Sequence, residues 1–291
     1  MRENKAFAAT ESQSWTKVIT AKRRLLDLRL RDVWDYRYLI KMFVKRDFIV
    51  TYKQTILGPL WYLVQPLITA IMYTFIFGKM AKVGTDGVPF ILFYFAGTML
   101  WTYFTSCLDS CSKVFTLNQS VFGKVYFPRL TSPIATCLFH VIKLLIQCLL
   151  LAAIFLYTII VKKQSINVSC LAFTFPLVIL WIGLLGGSMG LIISSLTTKY
   201  RDLNILLTFA IQLGMYATPV VYPLSELPEK FRWLAYANPV CAPIEFFRIA
   251  FYGAGHLEMS VILSSLGATV ALVFLSLILF TRNERSFVDV I

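Results

Sequence analysis

The stretch LLIQCLLLAAIFLYTIIV, residues 144–161, decides the fold. It contains no Asp, Glu, Lys or Arg, and its apolar side chains do not alternate with polar ones. A helix rises about 1.5 Å per residue, so roughly 20 apolar residues cross a hydrocarbon core of about 30 Å. Inside lipid every backbone amide must be paired, which leaves helices or closed barrels. Barrel strands alternate polar and apolar positions. This stretch does not, and it reads as a helix crossing a membrane.

Working outward, further stretches without a charged residue cover 54–78, 87–108, 164–198, 203–225 and 259–281. Together they predict an all-α membrane protein with six transmembrane helices at 58–77, 88–108, 134–161, 171–196, 203–221 and 261–280. The run 164–198 is long, but Pro176, Gly183, Gly186, Gly187 and Gly190 argue for one tightly packed helix, because small residues let helix backbones approach closely in lipid. The third span exceeds one crossing, so its first turns are expected at or below the membrane surface.

Composition agrees. Of 291 residues, 58% are hydrophobic and only 15% charged, whereas soluble domains carry roughly a quarter charged residues. An ordinary cytosolic enzyme and a disordered chain are excluded. The net charge of +13 suggests nucleic acid until the charges are placed. Twenty Lys and Arg fall before the first span, after the second, after the fourth and after the sixth; seven fall on the opposite side, and Lys143 lies inside a span. By the positive-inside rule both termini are cytoplasmic. The chain begins with a long polar stretch, so no secretory signal is expected. The six cysteines form no CxxC pair and read as apolar filler.

Two regions are not simple spans. Residues 1–55 form a cytoplasmic N-terminal region, with an amphipathic interface helix at 33–50, ahead of a transmembrane domain at 56–291. Val33, Tyr36, Ile40, Phe43, Val44 and Phe48 share one face at helical spacing, although Arg37 and Asp47 interrupt it. A solvated helix is the alternative. Leu57-Gly58-Pro59 then ends the helix. Residues 222–260 hold four prolines and many aromatics, which suits two short re-entrant helices at the outer surface better than a loop in water; an extracellular mini-domain is the alternative.

Catalytic signatures are missing. There is no phosphate-binding loop of the G-x-x-x-x-G-K-[ST] type, no H-E-x-x-H and no G-x-S-x-G. No metal site is expected. His140 and Lys143 sit three apart on one face of the third span, but Lys143 is expected to reach back towards the cytoplasmic interface. The spans lack the buried carboxylate of a proton-coupled pump. A transporter that takes its energy from another subunit fits this pattern.

The motifs RDFIVTYKQTILGPLWYLVQP (46–66), FAGTMLW (95–101), VYFPR (125–129), YRD (200–202) and TPVVYP (218–223) stand in order, followed by Asn238-Pro239 and Phe247-Arg248. In type and order they resemble the permeases of ABC-2 polysaccharide exporters, the family that includes O-antigen, capsule and teichoic acid exporters. The likeness covers about residues 35 to 280. It implies a homodimer joined to two copies of a separate cytoplasmic ATPase, which binds ATP and Mg, with no cofactor in this subunit. The cargo it implies is lipid-pyrophosphate-linked polysaccharide leaving across the bacterial cytoplasmic membrane. It further implies a coupling segment seated on the ATPase with Phe115, Lys124, Tyr126, Phe127 and Arg129. Lys199, Tyr200, Arg201 and Asp202 make a second contact. The outer gate is implied at Pro219, Tyr222, Pro223, Trp233, Asn238 and Pro239.

Such a cargo suggests two further groups. Arg46 and Lys53, flanking Leu57 and Gly58, are candidates to receive the pyrophosphate by charge-assisted hydrogen bonds. Trp61, Tyr62, Tyr73, Phe104 and Tyr216 are candidates to line the glycan path, because aromatic faces pack sugar C–H groups while their polar tips bond weakly. An ABC-2 permease for drugs or simple lipids remains the alternative transporter. A membrane-bound glycan-modifying enzyme would have to use Asp109, Asp202, Glu245 or Glu258.

Overall fold

The computed structural model describes residues 30–53, 55–118, 122, 127–163, 168–197 and 202–289. Among these the regular structure is helical. Helices α1 (Leu30–Asp35) and α2 (Arg37–Tyr52) come first. α2 stops at Tyr52, and Gly58, at φ +52°, turns the chain into a 3-10 turn, Gly58–Leu60, with Pro59 at its start. Glycine adopts this left-handed conformation without a Cβ penalty. The turn runs directly into α3 (Trp61–Tyr73). Then follow α4 (Phe90–Ser112), the short α5 (Val114–Leu117) and α6 (Thr131–Ile160). The chain continues through α7 (Phe175–Thr197), α8 (Leu203–Tyr216), α9 (Trp233–Ala237), α10 (Cys241–Tyr252) and α11 (Met259–Asp289).

Five helical segments are long and apolar enough to cross a membrane: Gly58–Met80, Phe90–Ser112, Thr131–Ile160, Cys170–Thr197 and Met259–Arg282. The expected span at 203–221 differs. α8 has 14 residues, about 21 Å of helix, short of a bilayer core of about 30 Å. Pro219 accounts for the early end: it offers no N–H and disfavours helical geometry in Thr218.

α4 is the hub. Each residue from Leu92 to Trp101 is buried, although this helix has the lowest hydropathy of the five. α7 lies closely against it, and its glycines explain why. A Cβ on Gly186 would stand 2.6 Å from the Phe104 carbonyl oxygen, and one on Gly190 2.5 Å from that of Leu108. The sequence expectation of a single glycine-packed helix in this region matches α7. α3, α6 and α11 surround this pair and keep Ile68, Ile71, Leu149, Val270 and Phe274 exposed. Hydroxyls within the apolar helices mostly return to their own backbone. Thr98, Thr158 and Thr269 each donate to the carbonyl four residues earlier, at 2.7–2.8 Å. This satisfies the donor without a partner helix.

Candidate functional site

One part of the bundle gathers further polar side chains around such self-bonded hydroxyls. A cavity of about 280 Å³ lies between α3, α4 and α6. α3 contributes Tyr62, Gln65 and Thr69; α4 contributes Thr98, Thr102 and Ser106; α6 contributes His140, Lys143 and Gln147. Gln65 and Thr102 are exposed, so the cavity opens on the surface of the bundle. His140 is 6% exposed. Its Nε2 meets Ser110 Oγ at 2.8 Å, while Nδ1 is buried without a partner. Tyr62 Oη is likewise buried without one. Gln147 Nε2 donates to the Tyr62 carbonyl at 3.3 Å. The Lys143 ammonium lies 4.7 Å from the centre of the Tyr62 ring and 4.4 Å from that of Phe139. It borders the cavity, held by two aromatic faces. A cavity of this size holds water with ease, since a single water needs only about 10–15 Å³.

A second group gathers where α2 meets the segment after α4. Phe115 and Phe127 are 2% and 5% exposed. Phe127 packs edge-on against Phe43 of α2 at 5.7 Å and meets Phe122 at 5.6 Å. Phe115 stacks on Phe280 of α11 at 5.0 Å. The Arg129 guanidinium lies 5.7 Å over Phe122. This chain of rings joins α2, the segment after α4 and α11. The two phenylalanines that the family likeness implies at the coupling segment are buried within the chain, where they pack that segment against α2 and α11. Arg46 is bound within the chain. It pairs with Asp47 at 2.8 Å, donates to Asn118 Oδ1 at 3.3 Å and lies over Phe43. Lys53 and Leu57 are exposed. Lys124, Tyr126, Lys199, Tyr200 and Arg201 lie outside the described residues. Asp202 precedes α8, and its backbone carbonyl accepts from Ile205 at 2.9 Å.

At the opposite end, α9 and α10 are tied to the end of α8. Asn238 donates through Nδ2 to Thr218 Oγ1 at 2.8 Å, and its Oδ1 accepts from the Val240 amide at 3.1 Å. Ser265 of α11 donates to the Pro239 carbonyl. Tyr222 donates to the Tyr216 carbonyl at 3.0 Å. Pro219 and Pro223 are buried, and Trp233 is exposed. The sequence reading gave no hint of what lies beneath. Arg248, counted there as a charge on the outer side, is fully buried against Glu245 and donates to the Val220 carbonyl at 3.1 Å. Their spacing of three on a short helix was the available signal.

The aromatic candidates separate. Trp61 and Tyr216 are exposed, Tyr62 lines the cavity, and Tyr73 packs between Phe77 and Tyr94. Phe104 sits in the core against Trp101. Its ring packs within the bundle. The four carboxylates weighed for an enzyme do not converge. Asp109 pairs with Lys113 at 2.6 Å, Glu245 pairs with Arg248, and Glu258 accepts from Tyr236 at 2.6 Å and from Ser260 at 3.1 Å. Those two hydrogen bonds hold the Glu258 carboxyl below its ordinary range.

Comparison with known proteins adds two findings. Residues 38–252 match the model of a family described as ABC-2 type transporter. The chain is 27% identical over 269 residues to the O-antigen export system permease protein RfbA of Klebsiella pneumoniae, covering 91% of this chain and 100% of that one. It is 22% identical over 262 residues to a protein of the same name from Myxococcus xanthus, covering 89% of this chain and 98% of that one.

Proposed function

The chain belongs to the ABC-2 type transporter family, and from that premise we propose that it is the permease subunit of an ATP-driven polysaccharide exporter in the bacterial inner membrane. The cargo is lipid-linked glycan of the O-antigen, teichoic acid or capsule type. The observation that carries this reading is the end-to-end likeness to O-antigen export permeases. ATP and Mg are bound by a separate ATPase, consistent with a sequence that lacks a phosphate-binding loop.

In this reading two copies form a homodimer with two ATPases, both termini are cytoplasmic, and α8 with the turn after it completes a sixth crossing. α9 and α10 are re-entrant and form the outer gate, and residues 1–55 precede the transmembrane domain of 56–291. Arg46 and Lys53 stand by Gly58 at the cytoplasmic entrance, with Lys53 the less engaged of the two. Trp61, Tyr62, Tyr73 and Tyr216 remain candidates for the glycan path. ATP binding closes the ATPases and moves the segment around 115–129 and the contact at 199–202. The rings of Phe127 with Phe43, and of Phe115 with Phe280, support this reading, since they give such a push two routes, one into α2 and one into α11.

The test is reconstitution of the chain with its ATPase in liposomes loaded with lipid-linked glycan. ATP is expected to make the glycan accessible to a glycosidase on the far side. Equal transfer with the ATPase nucleotide site disabled would sink the proposal.

A further inference from the structure

Inside a helix bundle this poor in charge, the amine of Lys143 needs an explanation. An ionised group in a membrane span is costly, and such groups pair with one another or mark a ligand path. Among the described residues no carboxylate or carbonyl pairs with Lys143 Nζ, whose neighbours are the Tyr62 and Phe139 rings. Asp47, the carboxylate whose field reaches it, is paired with Arg46 at 2.8 Å. His140 Nδ1 and Tyr62 Oη are both buried without partners. Buried polar atoms rarely go without a partner, whether protein, water or ligand. The cavity therefore holds one cation, no acid, and hydroxyl and amide donors arriving from three helices.

We propose that this cavity binds the phosphate group of a membrane lipid, with Lys143 as its cation. Gln65, Ser106 and Gln147 supply the surrounding hydrogen bonds, with Tyr62 and His140 bordering them. A phosphate presents several oxygens in different directions, which suits donors on α3, α4 and α6; a carboxylate, with two oxygens in one plane, would leave some unused. The exposed side at Gln65 and Thr102 gives a lipid headgroup lateral access. This inference rests on the export reading, in which the lipid is the glycan carrier, and it adds to that reading an inner station beyond Arg46 and Lys53. The same chemistry is offered by a bilayer phospholipid.

The experiment uses the full-length chain in phosphate-free maltoside micelles, titrated with farnesyl diphosphate, with farnesol as the uncharged control and phosphatidylglycerol as the bilayer alternative. Lys143→Gln is expected to weaken farnesyl diphosphate binding about ten-fold or more, the loss of a charge-assisted hydrogen bond. Lys143→Arg is expected to keep most of the affinity, and farnesol is expected not to compete. Equal, Lys143-dependent binding of phosphatidylglycerol supports a phosphate site and assigns it to bilayer lipid. Binding of both phosphates unchanged in Lys143→Gln overturns the site. Glycan export by the complex with its ATPase is measured in parallel. Lys143-independent binding beside intact export removes the cavity site alone; Lys143-dependent binding without glycan export removes the export reading alone.

Discussion

The Arg248 guanidinium donates to the Glu245 carboxylate at 3.1 Å, one turn back on α10, and lies 3.6 Å over the Phe93 ring of α4. The two side chains are 2% and 0% exposed. Removing one member of such a pair strands a buried charge and costs about 3–5 kcal/mol. Arg248→Ala is therefore expected to lower the midpoint of thermal unfolding in detergent sharply. The double replacement Glu245→Leu with Arg248→Met is expected to recover much of that loss. Equal damage from single and double variants would show that the charges do not act as a pair.

The bond from Asn238 Nδ2 to Thr218 Oγ1 joins the turn after α8 to the start of α10. Asn238→Ala and Thr218→Val are each expected to cost about 0.5–1.5 kcal/mol. Combined, they should cost less than their sum, because the second change removes a contact already lost. A double-mutant cycle on unfolding midpoints reads this coupling directly. Strict additivity would separate the two residues.

Helix packing gives a sharp contrast. Gly190→Ala places a methyl 2.5 Å from the Leu108 carbonyl oxygen, whereas Gly267 on α11 has open space within 4 Å. Overpacking of this kind costs about 1–3 kcal/mol. Gly267→Ala is expected to be neutral or stabilising by up to about 1 kcal/mol, from helix propensity. Thermal unfolding of both variants under one condition decides the matter.

The ring contacts around the segment after α4 predict a functional defect. Phe127→Ala removes the packing against Phe43 and Phe122, a loss of about 3–5 kcal/mol if it fell on a rigid core. The expected outcome is a complex that inserts and hydrolyses ATP but exports glycan poorly. On the export reading, Arg129→Glu and Arg201→Glu are expected to give the same uncoupled export with membrane insertion intact. Unchanged export in all three would remove the coupling role from this segment.

Hydropathy alone located the five long helices because a missing charge over some twenty residues is a strong signal. It overran the end of α8, since Val220 and Val221 continue the apolar run while Pro219 ends the helix. The glycines of α7 foretold close packing, but sequence offered no sign that α4 is the partner. Arg248 looked like an ordinary loop cation because hydropathy counts a charge without seeing Glu245 beside it. The cavity was out of reach for a different reason. Tyr62, Thr102 and Lys143 are far apart in sequence, and only the packing of α3, α4 and α6 brings them together. Phe104 and Tyr62 are both aromatics near span ends. Nothing in composition says that one ring packs a core while the other borders a void.

α4 lies sheathed by its own neighbours along most of its length, and the helices that turn large apolar side chains outward include α3, α6, α8 and α11. A change in bilayer thickness or lipid type therefore acts on an outer casing, which absorbs the mismatch by tilting at a modest cost per ångström. Tilting of that outer layer is expected to disturb the buried face of α4 least.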